Sequence, residues 1–307
     1  MKRLFTLLLL TALFPLLASA QHADETPNIQ KLTAYQDSLI DLGNKLINND
    51  TEAERMNANA GFIKMLVKAL KVPHSFNFGF DSVKAVKILN SPDNRFRFIT
   101  WHLQFDDGSY RYFGTVQMNT GDRLLMYPLS DYSPFIKKPE DTVTDNKKWY
   151  GAQYYDIIPV NTEQNTYYVL LGWKGNSVKS TKKVIETISF KNNLPVFGRS
   201  VFDGNGKIRK RVVFEYTRQA SMLLNYDAGQ QTIVFDHLSP PDKKLKGQFD
   251  LYGPDLSYDG YRFKDGRWEY VENLDMRNKP SKSDKDYIDP KKQKEIDKAT
   301  GVGNRVD

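Results

Sequence analysis

Hydrophobic positions recur every three or four residues between 28 and 72. Ile29, Leu32, Tyr35, Leu39, Leu42 and Leu46 fall on one face of a first predicted helix. A second helix opens at Thr51-Glu52-Ala53-Glu54, the pattern of a capping box. Met56, Ala60, Ile63, Leu66 and Leu70 mark its apolar face, and Pro73 stops it. Asn48, Asn49 and Asp50 make the turn between the two. An amphipathic hairpin of this kind needs a surface against its apolar stripe. The chain that follows supplies one.

From about residue 84 the period becomes two. Phe96 and Phe98 alternate, and then Ile99, Trp101, Leu103 and Phe105 alternate in the opposite phase. Such a slip inside one strand predicts a β-bulge. Asp107-Gly108 follows, and the run from Tyr110 to Met118 returns, which is the strongest short-range hairpin signal. The same grammar repeats. Tyr167–Trp173 and Val184–Phe190 flank Lys174-Gly175-Asn176. Val196–Phe202 and Ile208–Tyr216 flank Asp203-Gly204-Asn205-Gly206. Met222–Tyr226 and Thr232–Phe235 flank Asp227-Ala228-Gly229, and Tyr261–Phe263 and Trp268–Tyr270 flank Lys264-Asp265-Gly266. No helical stretch separates these runs, which argues against a parallel sheet. The expected fold is α+β and mainly antiparallel β. An N-terminal helical hairpin packs on a meander of roughly ten to thirteen strands. A single sheet that wide curls or splits, so it is expected to be barrel-like or two-layered. The hairpins share turn chemistry but no motif at a fixed period, so no repeat architecture is demonstrated.

The first twenty residues stand apart. Lys2 and Arg3 are followed by an uncharged apolar run to Leu17 and by Ala18-Ser19-Ala20. This is the tripartite pattern of a secretory signal peptide, and the run is too short for a transmembrane helix. No cysteine follows the cleavage point to carry a lipid. The organisation expected is a signal peptide over 1–20, a helical hairpin and linker over 21–83, an antiparallel β domain over 84–275 and a charged, disordered tail over 276–307. Residues 129–148, with Pro134 and Pro139, read as a long irregular loop. Localisation is expected to be periplasmic or secreted, with no membrane span once the signal is cleaved.

Composition narrows the chemistry. The chain has 307 residues, with Phe 18, Tyr 17 and Trp 4, enough aromatic mass for a large core. Cys is 0, which excludes thiol catalysis, thiolate metal sites and disulfides. The net charge is +7, but part of it lies in the leader and the tail, and the body is near neutral. The densest basic run is Lys207-Ile208-Arg209-Lys210-Arg211. It reads as a solvated strand face rather than a nucleic-acid footprint. An outer-membrane barrel is disfavoured because charged residues interrupt many of the strands.

Catalytic motifs are sparse. There is no G-x-S-x-G, no phosphate-binding glycine loop before a helix and no H-E-x-x-H. His22, His74, His102 and His237 are the only histidines and none are paired at metal spacing, so neither a metal site nor a cofactor is expected. The densest polar cluster is 236–259. Asp236, Asp255 and Asp259 could act as paired carboxylates on a glycan, with His237 as a general base. The same residues are what turns at strand ends are made of. Trp149, Tyr154, Tyr252 and Tyr258 are the aromatic candidates for ligand stacking, against the alternative that strand aromatics form the core. Asp203-Gly204-Asn205-Gly206 lacks the acidic ligands of a calcium loop and reads as a turn.

The run Tyr167-Tyr168-Val169-Leu170-Leu171-Gly172-Trp173-Lys174-Gly175-Asn176 resembles a passage of exported bacterial β-rich proteins to which no activity is assigned. Lys182–Glu186, Pro195–Gly198, Phe214–Tyr216, Val234–Leu238 and Tyr252–Asp255 extend the resemblance over roughly residues 95–272. It implies a bacterial cell-envelope or secreted setting and supplies no site residues. The function expected is an exported, non-catalytic binding or envelope-associated protein whose partner is an envelope protein or a glycan. The alternatives are a glycan hydrolase using the 236–259 carboxylates and a structural component of an envelope assembly held by the tail.

Overall fold

The computed structural model describes residues 27–276 except 164 and 205, together with Lys292. The expected signal peptide, and all of the expected tail except Met276 and Lys292, lie outside the described residues. The chain forms two units divided after Asn273, and every element below belongs to the first. Among the described residues no helix is long and apolar enough to cross a membrane.

Two helices open the fold, α1 over residues 27–48 and α2 (Glu52–Leu70). Thr51 caps α2 through the full capping box, accepting from the Glu54 amide while the Glu54 carboxylate accepts from the Thr51 amide. The α1 stripe buries Leu32, Leu39 and Leu46. The α2 stripe differs from the expected face. Ala58, Asn59, Phe62, Leu66, Ala69 and Leu70 are buried, whereas Ala60 is exposed. Trp101 faces this side: the Phe62 ring packs on it with centroids 5.2 Å apart, and Asn59 Oδ1 accepts its indole N–H at 2.8 Å. A polar residue chosen for one hydrogen bond is invisible to a search for apolar spacing.

Sixteen strands follow among the described residues. β1 (Lys87–Asn90), β2 (Phe96–Gln104), β3 (Tyr110–Met118) and β4 (Met126–Ser130) form a first sheet in that order. β5 (Thr144–Asp145), β6 (Gln153–Asn161), β7 (Thr166–Gly175), β8 (Ser180–Lys191) and β9 (Leu194–Phe197) form a second, ordered β5-β9-β8-β7-β6. β10 (Phe202–Gly204) and β11 (Lys207–Arg209) leave for a third sheet, and β12 (Arg211–Thr217) returns to pair with β8. β13 (Leu224–Asp227), β14 (Thr232–Ser239), β15 (Gly253–Lys264) and β16 (Arg267–Val271) complete the third sheet, ordered β11-β10-β16-β15-β14-β13. All strand ladders are antiparallel except the single β10–β16 pair, Phe202 with Trp268. The fold is α+β and mainly antiparallel, as the periodicity predicts. It is three sheets, not a closed barrel.

The sheets stack. The helices bury Phe62, Leu66 and the α1 leucines on Ile99 and Trp101, on one face of the first sheet. Its other face packs Phe96 and Phe98 against Tyr154, Tyr168, Leu170 and Ile188 of the second sheet. The far face of the second sheet packs Tyr167, Val169, Leu171 and Ile185 against Ile233, Phe235, Tyr261 and Trp268 of the third. A fully buried side chain of this size contributes about 1.5–3 kcal/mol, so each layer is fixed by its neighbours. This order corrects the bulge expected in β2. The pairing of β2 with β3 runs unbroken from Phe96 to Gln104. The apparent change of phase arises because both faces of the strand are apolar, even residues toward one core and odd toward another. The hairpin expected between Val196 and Tyr216 is also split, because β9 and β12 lie in the second sheet and β10–β11 in the third.

Residues 129–148 are pinned rather than loose. They form three short 3-10 turns, at Ser133–Phe135, Pro139–Asp141 and Asn146–Lys148. The basic run holds them. Lys207 pairs with Asp141 at 2.9 Å, Arg209 with Glu140 at 2.5 Å, and Lys210 donates to the Asp141 carbonyl at 2.8 Å. These three cations are spent inside the molecule.

Candidate functional site

The 236–259 segment lies on β14 and β15 where their register shifts. Asp236 pairs with Tyr258 and Leu238 with Pro254, so Asp255, Leu256 and Ser257 face the single residue His237. Bulges re-aim side chains in this way. Leu256 takes φ 72° and is 91% exposed, a strained conformation for a branched side chain.

Asp259 is the anchor. Its side chain is only 3% exposed. It accepts from the Tyr270 hydroxyl at 2.5 Å and the Asn273 amide at 3.1 Å, and meets His237 Nδ1 at 2.6 Å. The carboxylate therefore holds Nδ1 protonated and leaves Nε2 as the working nitrogen. Nε2 faces Asp255 Oδ2 at 3.9 Å on the open side. The Asp259 hydrogen bond raises the His237 pKa above its ordinary value, against a smaller opposing effect of burial. Burial works against ionisation of Asp255, but the hydroxyl and amide of Ser257 outweigh it and hold that carboxyl low.

The structure thus brings together His237, Asp255 and Asp259. Asp236 is elsewhere: its carboxylate accepts the Leu223 amide at 2.7 Å and starts β13. The imidazole fills the gap between the two carboxylates, where a glycosidase holds its sugar. Ser257 Oγ donates to Asp255 at 2.6 Å, so that hydroxyl serves the carboxylate and not Nε2. The arrangement can hold and move a proton at Nε2, with the imidazole set between the two carboxylates.

The aromatic candidates separate in the same way. Trp149 and Tyr154 are fully buried. The Trp149 indole donates to Tyr154 Oη at 2.8 Å, and Tyr154 donates to Glu186, which is fully buried with Arg211. Their rings have no face left for a ligand. Tyr252 is buried and accepts the Gly247 amide at 3.0 Å. Tyr258 is half-buried opposite Asp236. His74 pairs with Asp122 at 2.8 Å and His102 meets Gln153 Oε1 at 3.2 Å. Among the described residues no group of three His, Asp or Glu is placed to hold a metal ion.

A cleft lies where sequence did not point. The face of the second sheet that the third covers runs on past its cover toward the β7–β8 turn. There Trp173 and Lys183 are half-buried beside the buried Thr181 and Tyr216, in register across β7, β8 and β12. Tyr110 of β3 and Arg218, just past β12, complete a cleft of about 360 Å³. Tyr110 and Trp173 meet edge to face, with centroids 5.7 Å apart. Arg218 donates to Tyr110 Oη at 2.8 Å and to the Ser177 carbonyl at 3.1 Å. Lys183 Nζ donates to Tyr155 Oη at 3.2 Å and sits 4.4 Å over its ring, where burial lowers its pKa. Neither cation pairs with a carboxylate among the described residues. Gly175 makes the approach possible, since a Cβ there would lie 2.6 Å from the Tyr110 ring. Trp173 and Gly175 stand in the run that carries the resemblance, but nothing local in sequence links them to residues 110 and 218.

No protein family, no curated protein and no solved structure matches this chain.

Proposed function

We propose that the chain is an exported, non-catalytic binding protein whose ligand sits in the Tyr110–Trp173–Tyr216 cleft. One observation carries the reading: an open concavity of about 360 Å³ combines the half-buried rings of Tyr110 and Trp173 with cations that have no internal carboxylate. That volume lies within the range of small-ligand sites, and convergent polar groups among aromatic walls are their usual chemistry. Export rests on the tripartite pattern of residues 1–20. The hydrolase reading draws on the His237–Asp259 pair, which offers a general base at Nε2.

Screening soluble peptidoglycan fragments and bacterial polysaccharides by tryptophan fluorescence tests both. Truncating a central aromatic anchor costs about 2 kcal/mol, roughly thirtyfold in Kd. Trp173→Ala is expected to show that loss, and full retention of affinity would remove the cleft from consideration. Reducing ends released by the wild type and not by His237→Ala would overturn the non-catalytic reading.

A further inference from the structure

Resting on the cleft as the ligand site, we infer that its ligand is a carboxylated sugar, a uronic acid or a short chain of them. The ring stacks on Trp173, and the carboxylate meets Lys183 and Arg218.

Charge argues first. The cleft wall contains Lys183 and Arg218 and no Asp or Glu. The nearest carboxylate in sequence, Glu215, is occupied: it accepts from Ser180 Oγ at 2.6 Å and Asn176 Nδ2 at 3.0 Å, and pairs with Lys182 at 3.3 Å. Lys183 and Arg218 are held instead by neutral oxygens, a phenol on each and one carbonyl on Arg218. A cation in an open cleft held only by neutral acceptors keeps its Coulomb attraction for an incoming anion. A hydrogen bond between charged partners is roughly twice as strong as a neutral one.

Shape argues second. Tyr110 and Trp173 stand at 89° to one another, so they form no parallel slot for a flat aromatic ligand. A single exposed ring face suits the C–H face of a pyranose. Ser221 also lines the cleft, is exposed and carries a hydroxyl for a polyhydroxylated partner. A phosphate would be better served by a cradle of backbone amides. The amide of Gly175, which packs beside the Tyr110 ring, is already donated to Tyr112 Oη at 2.5 Å.

The test is calorimetric titration of the full chain with trigalacturonic acid, using galactotriose as the neutral control. The acid is expected to bind roughly tenfold more tightly than the neutral trimer. Lys183→Gln and Arg218→Gln should each weaken acid binding by roughly the same factor. Neither should change any residual binding of galactotriose. Affinity for the acid should fall as NaCl rises from about 50 to about 300 mM. Arg218 is exposed and Lys183 half-buried, and an unchanged melting temperature verifies that both variants fold. Equal affinity for the two trimers, or an Arg218→Gln variant that binds the acid as the wild type does, overturns the inference. If neither trimer binds but another glycan is lost in Trp173→Ala, the cleft stands and the uronate assignment falls. If no bound glycan is lost in Trp173→Ala, both fall.

Discussion

The buried charges show best what single residues decide. Glu186 and Arg211 face each other across β8 and β12 with neither side chain exposed. Arg211 Nε donates to Glu186 Oε1 at 2.5 Å, and Tyr154 donates to the other carboxylate oxygen. The Arg211 guanidinium also lies 4.9 Å over the Tyr150 ring. Removing one charge would leave the other desolvated and unpaired. Glu186→Gln is therefore expected to lose about 3–5 kcal/mol, read as a lower midpoint in urea, and a loss under about 1 kcal/mol would contradict the pairing. His237 gives a pH-dependent case. Its folded pKa lies above the ordinary 6.5, so the folded state binds its proton more tightly than the unfolded chain. That stabilisation is complete below about pH 6.5 and fades as pH rises through the raised value. The melting temperature of the wild type minus that of His237→Asn should be largest in mild acid and shrink toward alkaline pH. A difference that stays flat from about pH 5 to about pH 9 would show that the Asp259 bond is not maintained in solution.

At the scale of elements, the start of α2 was legible because its signal is local. Thr51 and Glu54 complete their capping box within four residues. Thr51→Ala is expected to destabilise the protein by about 1 kcal/mol, seen as a fall in melting temperature, and Thr51→Ser should largely keep it. The hairpins at Asp107-Gly108, Lys174–Asn176, Asp227–Gly229 and Lys264–Gly266 were legible for the same reason: the turn residues and the paired strands are adjacent. β2 hides its phase because its burial has two causes. A strand covered on both faces loses the alternation that marks its phase. β7 shows the same effect, with Tyr167, Val169 and Leu171 toward one core and Tyr168 and Leu170 toward another. In the Val196–Tyr216 segment the cause is different. Turn chemistry is the same whether the flanking strands stay in one sheet or change sheets.

For the whole molecule, the sequence by itself determined the helical hairpin, the antiparallel class and most of the hairpin turns. Each is written in residues close together along the chain, where backbone preference and periodicity act directly. Tertiary structure alone decided that the strands divide into three stacked sheets, with the second buried on both faces. It also decided that Trp149 and Tyr154 belong to a polar network inside the core. The cleft was decided there too: Tyr110 and Arg218 are 108 residues apart along the chain and joined by one hydrogen bond. Long-range placement follows from which apolar faces cover which. That depends on the sum of many burials across distant segments, and no local window of sequence contains it.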